Sequence, residues 1–167
     1  MSGSELVWLG LGSNLGDRMR ELREAMALLE RAGLSVVRMS TVRETPPWGK
    51  LDQPAFLNAV VELDVGLMGP RELLQLARSI EDAHGRQRTE RWGPRRLDLD
   101  ILRFGDRAVG GPDLTIPHPR IGERGFVLVS LAELEPEWRL PSGLTVRQAL
   151  SGFEPNDFPI FATDWAV

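Results

Sequence analysis

Two aspartates one residue apart, Asp98 and Asp100, form the most chemically suggestive pair in this chain. The apolar residues Leu97, Leu99 and Ile101 alternate with them, which predicts a strand with both carboxylates on one face. Adjacent carboxylates repel each other and lose hydration when buried, and a divalent cation between them would relieve both effects. Aspartate oxygens are ligands that Mg²⁺ prefers. The pair therefore predicts a metal site, with a solvated strand face as the alternative.

The segment just before these aspartates carries a high density of positive charge. Residues 86–96 read RQRTERWGPRR, with five arginines against one glutamate and a local net charge of +4. Arginine binds phosphate through paired hydrogen bonds, and phosphate, metal and a closing loop are the parts of a phosphoryl-transfer site. A surface salt-bridge cluster between the arginines and the aspartates is the alternative. Trp92 either fills the core or covers a ligand.

Composition limits the classes of protein to which the chain can belong. Its 167 residues are 42% hydrophobic and 26% charged, which predicts one globular domain over residues 1–167 with a peripheral tail from about residue 155. The net charge of −4 argues against a nucleic acid or an anionic membrane as partner. The absence of cysteine excludes disulfides and thiolate metal sites and favours a cytoplasmic location. We expect neither a signal peptide nor a membrane-spanning segment, because the chain lacks their sequence patterns.

The order of apolar segments predicts the fold class. Strand and helix patterns alternate as β-α-β-β-α-β, which is typical of the ferredoxin-like fold: an α+β domain with an antiparallel sheet, helices on one face and C-terminal additions. Asp17 is the predicted N-cap of the first helix, Gly33 its end, and Pro70 the start of the second helix. The predicted segments are strands 6–11, 34–43, 56–65 and 98–104, and helices 17–32, 70 onward and about 126–134.

Three smaller features are informative. The glycines from Gly10 to Gly16 miss the spacing of a dinucleotide-binding motif and predict a tight strand-to-helix turn. Two histidines, His84 and His118, are too few to argue for zinc. His118 between two prolines has a restrained backbone that suits a phosphate contact, with a structural role as the alternative. Asn58, inside an apolar strand, predicts a side chain directed at a pocket or a cap on a bulge.

Taken together, motifs in a fixed order between about Leu6 and Leu150 resemble the 6-hydroxymethyl-7,8-dihydropterin pyrophosphokinases of the folate pathway. Each motif alone is weak, and their order makes the resemblance specific. The motifs are Leu11-Gly-Ser-Asn14, Thr45-Pro-Pro47, Asp52-Gln-Pro54, Phe56-Leu-Asn58, Gly85-Arg86, Arg91-Trp-Gly-Pro-Arg95, Leu97-Asp-Leu-Asp-Ile101, Thr115-Ile-Pro-His118 and Arg124-Gly-Phe126.

The resemblance implies transfer of the β,γ-pyrophosphate of ATP to the hydroxymethyl oxygen of the pterin, with release of AMP. It implies Asp98 and Asp100 as ligands of two Mg²⁺ ions, and as catalytic residues together with Arg86 and Arg95. The implied nucleotide contacts are Glu81, Arg86, Arg88, Arg91, Trp92, Arg95, Ile101, Thr115, His118 and Arg124. The implied pterin contacts are Thr45, Pro46, Pro47, Trp48, Phe56, Asn58, Trp92, Asp98 and Phe126.

Several points stay open at this stage. Arg78, Asp113 and Pro119 depart from residues found in some members, so their roles do not carry over. The proton acceptor is Asp98 or Asp100, or metal coordination alone suffices. The expected partners are ATP and the pterin, without nucleic acid or membrane, and the expected state is a monomer with a dimer as the alternative. Two rival functions are a ferredoxin-like nucleic-acid-binding module and another Mg²⁺-dependent nucleotidyl- or phosphotransferase.

Overall fold

A computed structural model describes residues 3–47, 51–85, 94 and 96–165 of the chain. Ten helices and strands organise these residues, and two short 3₁₀ turns, Ile121–Glu123 and Pro155–Asp157, connect the later ones. In chain order the elements are β1 (Leu6–Ser13), α1 (Arg18–Arg31), β2 (Ser35–Met39), β3 (Val42–Thr45), β4 (Phe56–Asp64), α2 (Pro70–Ala83), β5 (Asp98–Phe104), α3 (Gly125–Leu134), α4 (Val146–Leu150) and β6 (Ile160–Ala162).

Local signals account for the ends of the first two helices. The Asp17 side chain accepts a hydrogen bond from the Arg20 N–H at 3.2 Å and caps α1, as predicted. Gly33 follows this helix with a φ of 97°, a left-handed conformation that glycine adopts without strain. Pro70 is the first residue of α2, where its missing N–H has no partner to lose. These three boundary predictions are confirmed.

The strands form one antiparallel sheet in the order β5-β1-β4-β3-β6, with β2 also paired to β4. Helices α1 and α2 pack on one face of this sheet, where they bury Leu22, Leu29, Leu73 and Ile80. Helices α3 and α4 pack on the opposite face, against strand residues such as Trp8. The predicted ferredoxin-like α+β fold is confirmed, and the C-terminal additions supply the second helical layer.

The predicted strand over residues 34–43 is two strands, because Ser40 interrupts it. The Ser40 N–H donates to the Val60 carbonyl at 2.9 Å, and the Ser40 hydroxyl accepts the Val60 N–H at 2.9 Å. The side chain thus replaces the Ser40 carbonyl in the ladder, and that carbonyl accepts the indole N–H of Trp165 instead. Beyond β5, Val109 and Ile116 form a single isolated bridge.

The prediction of a peripheral tail from about residue 155 is wrong. Strand β6 pairs with β3, Phe158 is 6% exposed and Trp165 is 1% exposed. The physical reason is that β6 covers the outer edge of β3, which would otherwise be unpaired, and that Trp165 buries a large aromatic ring in the core. Among the described residues, no helix combines the length and the apolar character that crossing a bilayer requires.

Candidate functional site

A pocket opens on the α3 face of the sheet, at the N-terminal end of that helix. Strands β1, β3, β4 and β5 and the start of α3 all contribute to its lining. The lining residues are Gly10, Leu11, Gly12, Thr45, Pro46, Phe56, Asn58, Ala59, Val60, Asp98, Asp100, Leu102, Arg124, Phe126 and Val127. Eight of them are residues that the resemblance implied: Thr45, Pro46, Phe56, Asn58, Asp98, Asp100, Arg124 and Phe126.

Two glycines of β1, Gly10 and Gly12, form the floor of this pocket. Gly12 lies opposite Asn58 of β4 on one side and opposite Asp98 of β5 on the other. A Cβ atom at Gly12 would lie 2.6 Å from the Asn58 Oδ1, so a side chain at this position would collide with that amide. Because Gly12 has no side chain, Asn58 and Asp98 face the same space on either side of its backbone.

The sequence predicts a strand-to-helix turn for the glycines from Gly10 to Gly16, and the structure has such a turn only at Gly16. Gly10 and Gly12 lie inside β1, and Gly16, with a φ of 71°, lies in the turn before α1. The missed signal is their spacing, because two glycines one residue apart in a strand remove successive side chains from the same face. The structure thus assigns Gly10 and Gly12 to the pocket floor, which the sequence interpretation had overlooked.

Asp98 and Asp100 form one wall of the pocket, named here the carboxylate wall, and they share one strand face as the sequence predicts. Asp98 and Asp100 are half-buried and line the pocket, while Leu99 and Ile101 are buried in the core on the opposite face. The Arg124 Nη1 lies 3.5 Å from the Asp100 Oδ2, and Arg124 is 8% exposed. A guanidinium in this position gives the wall a cation beside its two anions, which is a suitable setting for phosphate oxygens.

Glu81 supports this wall from the α2 side of the sheet. Its side chain is buried, and the Oε2 accepts the Leu99 N–H at 2.9 Å. This hydrogen bond fixes β5 at the residue between the two aspartates. Because backbone groups alternate between strand edges, the Ile101 backbone faces the same outer edge as the Leu99 N–H. The nucleotide contacts implied for Glu81 and Ile101 stay predictions, since neither residue lines the pocket.

The opposite side of the pocket combines an amide with two aromatic rings. The Asn58 Nδ2 donates to the Thr45 Oγ1 at 2.6 Å, and both side chains are buried. Phe56 and Phe126 line the cavity from β4 and α3, and Pro46 completes this side. A flat polar heterocycle requires such a combination of ring faces and hydrogen-bonding edge groups. Pro47 is half-buried and lies outside the lining.

Asn14 anchors the loop that leads into the aromatic side. Its Nδ2 donates to the Gln53 Oε1 at 2.9 Å and to the Pro54 carbonyl at 3.0 Å. These contacts bring the end of β1 to the segment just before Phe56. The sequence motifs that contain Asn14, Gln53 and Pro54 therefore have a structural function, which spacing alone did not reveal.

His118 lies beside β5, outside the lining of the pocket, and is held by backbone contacts. Its backbone N–H donates to the Leu102 carbonyl at 3.0 Å, and its ring Nδ1 accepts the backbone N–H of Arg120 at 3.1 Å. Burial lowers the pKa of His118 to about 4, and the charges of Arg124 and Arg120 act in the same direction against the opposing Asp98. At neutral pH the ring is therefore uncharged with its proton on Nε2, which is available as a donor.

This depressed pKa predicts how the stability of the ligand-free protein changes with pH. The ordinary histidine pKa of 6.5 applies to the unfolded chain, so the native state binds fewer protons at this site than the unfolded state. The stabilising contribution is fully present above pH 6.5 and is lost as the pH falls toward 4. Urea unfolding in chelator should show a smaller loss of stability on acidification for His118→Gln than for the wild type. Parallel curves for the two proteins would contradict this prediction.

The resemblance also implies one residue that lies away from the pocket and several that the structure does not describe. Thr115 is exposed, and its hydroxyl donates to the Gly111 carbonyl at 3.5 Å. Its nucleotide contact stays a prediction. Six predicted site residues fall outside the described residues: Trp48, Arg86, Arg88, Arg91, Trp92 and Arg95.

A second group of possible metal ligands lies on the other side of the sheet. Glu21, Glu24 and His84 place one ligand atom each within 4.8 Å of one another. Glu21 contacts the His84 Nδ1 and lies 3.5 Å from the Arg96 Nη1, and Glu24 pairs with Arg20 at 2.7 Å. Because positively charged side chains already neutralise these carboxylates, we interpret the group as an ion-pair cluster that joins α1 to the residues flanking segment 86–95.

Comparison with known proteins identifies the family. Residues 8–136 match the model of the 7,8-dihydro-6-hydroxymethylpterin-pyrophosphokinase (HPPK) family. The chain is 45% identical over 151 residues to the 2-amino-4-hydroxy-6-hydroxymethyldihydropteridine pyrophosphokinase of Methylorubrum extorquens, covering 90% of this chain and 94% of the relative. It is 47% identical over 132 residues to the enzyme of that name from Bacillus subtilis, covering 78% of each chain.

A solved structure with the same fold is the wild-type HPPK-DHPS of Plasmodium falciparum with pteroate. The TM-score is 0.73 at 17% identity, and the likeness covers 91% of this chain and 43% of that longer one. At this identity the structural likeness shows only that the fold is shared. The family match and the two bacterial relatives show the family to which the chain belongs. The chain thus belongs to the 7,8-dihydro-6-hydroxymethylpterin-pyrophosphokinase family.

Proposed function

We propose that this protein transfers pyrophosphate from ATP to the hydroxymethyl group of 6-hydroxymethyl-7,8-dihydropterin, giving the pterin diphosphate and AMP. The observation that carries the proposal is that two chemically different sides of one pocket face each other across Gly12. A carboxylate wall for phosphate chemistry lies on one side, and an amide with two aromatic rings lies on the other. The names of the relatives above support the same reaction.

The carboxylate wall fits Mg²⁺. Asp98 and Asp100 offer oxygen ligands from one strand face, both accessible from the pocket, which is the donor set that a hard divalent cation requires. We propose that they hold two Mg²⁺ ions, which when bound would neutralise the charge of the triphosphate oxygens. Arg124 lies beside them, and the neutral His118 ring has a donor on Nε2, so both can hold phosphate oxygens.

The aromatic side would orient the acceptor. Phe56 and Phe126 would stack on the pterin, and the Asn58–Thr45 pair would read its edge, so that the hydroxymethyl oxygen is directed toward the carboxylates. In the reaction an oxygen–phosphorus bond forms at the β-phosphate, the bond to the α-phosphate oxygen breaks with AMP leaving, and the hydroxyl proton is released. Asp98 is the carboxylate nearer to this side by strand register, which makes it our preferred proton acceptor.

The rival functions have less support. A different Mg²⁺-dependent transferase would use the carboxylate wall but would not require Asn58, Thr45 and the paired rings in the same cavity. A nucleic-acid-binding module of this fold needs an open sheet face for base stacking. In the described part of the chain helices cover both faces, and the remaining space is a concave pocket.

Product analysis tests the proposed reaction directly. The purified protein is incubated with MgATP, with and without hydroxymethyldihydropterin, and the nucleotides are separated. Formation of AMP that requires the pterin, with pterin diphosphate in equal amount, is the expected result. Formation of ADP would indicate single phosphoryl transfer, and AMP formation independent of the pterin would indicate hydrolysis. Either outcome contradicts the proposal. Omission of Mg²⁺ should abolish turnover.

A further inference from the structure

The C-terminal segment, defined here as residues 153–165, contacts both elements that carry the aromatic side of the pocket. The match to the family model ends at residue 136, well before this segment begins. None of its residues lines the pocket. Its contacts nevertheless run to β3, which carries Thr45, and to the start of α3, which carries Phe126.

The contacts with β3 are mainly backbone hydrogen bonds. Strand β6 pairs with Val42 and Arg43, and the Pro159 carbonyl accepts the Glu44 N–H at 3.0 Å. The Arg43 Nη1 donates to the Phe158 carbonyl at 2.8 Å. Thr45 is the next residue along β3, so the ladder holds the strand up to the residue that accepts the Asn58 amide.

The contacts with α3 concentrate on Gly125. A Cβ atom at this glycine would lie 2.5 Å from the Phe158 Cζ and 2.6 Å from the Phe153 Cδ1. The two rings themselves meet edge to face, with centroids 6.3 Å apart. Gly125 lies between Arg124 and Phe126, so these rings press on the backbone that directs both pocket side chains.

Trp165 fixes the far end of the segment. Its ring is 1% exposed within the core beneath α1 and α2, and its indole N–H donates to the Ser40 carbonyl at 2.9 Å. Phe153 packs in the other core, beside α3 and α4. The segment therefore wraps around the β3 edge of the sheet and is anchored in both cores.

We propose that the C-terminal segment is a positioning element for the acceptor, with Phe158 as its central residue. It sets the distance between Thr45 on β3 and Phe126 on α3, and thereby the width of the slot that takes the flat heterocycle. The inference rests on the proposed function, because the heterocycle in question is the pterin. The carboxylate wall on β5 lies across the sheet from this segment, and the segment approaches the nucleotide side only through the backbone beside Arg124, so it affects nucleotide binding less than pterin binding.

The test compares Phe158→Ala with the control Ile160→Ala, which changes a 53% exposed residue of the same segment. We expect Phe158→Ala to weaken pterin binding about fivefold or more, because small displacements of positioning groups have large effects on fit. MgATP affinity should stay within about twofold, and Phe158→Leu should recover most of the pterin affinity by refilling the space beside Gly125. Ile160→Ala should match the wild type for both ligands.

The outcomes separate the inference from the function. A folded Phe158→Ala that binds pterin as tightly as the wild type, or that loses both ligands equally, overturns the inference while wild-type AMP formation leaves the function standing. A wild type that neither binds the pterin nor forms AMP with it refutes both.

Hydrogen exchange of the wild type gives a second readout if Phe158→Ala does not fold. Because coupling between two sites is reciprocal, pterin binding should slow exchange at the Glu44 amide and in residues 160–162, and MgATP alone should not. Unchanged exchange in these residues with pterin bound overturns the inference.

Discussion

Asp98→Ala and Asp100→Ala should each lower turnover by about 100-fold or more, the effect seen when preorganised charge stabilisation is removed from a transition state. Both carboxylates line the pocket from one face of β5, and each would lose a proposed Mg²⁺ ligand. Steady-state rates at saturating MgATP and pterin, with Mg²⁺ titrated upward, measure the effect. Near-normal turnover of either variant at saturating Mg²⁺ would refute the metal role.

The stability of the same variants provides an internal check. Removal of one member of a repelling pair should leave the metal-free fold intact. Asp100→Ala should be the less stable of the two, because it takes a carboxylate from the buried Arg124 at 3.5 Å. Asp106→Ala is the matched control, since Asp106 lies just beyond β5 with a side chain that is 99% exposed. Its turnover and its urea unfolding curve should match those of the wild type.

Asn58→Ala should weaken pterin binding at least about tenfold, the factor that corresponds to 1.4 kcal/mol. Loss of the amide would leave pterin edge groups without partners in a dry pocket, at a cost of roughly 1–3 kcal/mol. It would also free the Thr45 hydroxyl, which accepts the Asn58 amide at 2.6 Å. Calorimetry with each ligand alone should show nearly unchanged MgATP affinity. Phe126→Ala should behave similarly, because Phe126 lines the same side of the pocket.

Thr45→Ser is the matched control for this prediction. It keeps the hydroxyl that accepts the Asn58 amide, so pterin affinity should stay close to that of the wild type. If Asn58→Ala reduces ATP and pterin binding equally, the residue has a structural role and the proposed pterin side of the pocket is misplaced. If Thr45→Ser weakens pterin binding as strongly as Asn58→Ala does, the methyl group of Thr45 contributes more to pterin binding than the hydrogen bond.

Features that depend on neighbouring residues could be predicted from the sequence. The cap at Asp17, the helix end at Gly33 and the start at Pro70 follow from local backbone chemistry, and all three are confirmed. The shared face of Asp98 and Asp100 follows from the two-residue period of a strand, and the structure has it. The ordered motifs predicted the family, and the comparisons confirm that prediction.

Tertiary structure alone decided which distant segments meet. Gly12 became a pocket floor because β4 and β5 flank β1, so that Asn58 and Asp98, 40 residues apart in sequence, face the same space. The C-terminal segment is part of the fold because β6 pairs with the outer edge of β3 and the buried Trp165 donates a hydrogen bond to the Ser40 carbonyl. Local propensity contains no information about such contacts, since each depends on where a residue far along the chain lies in space.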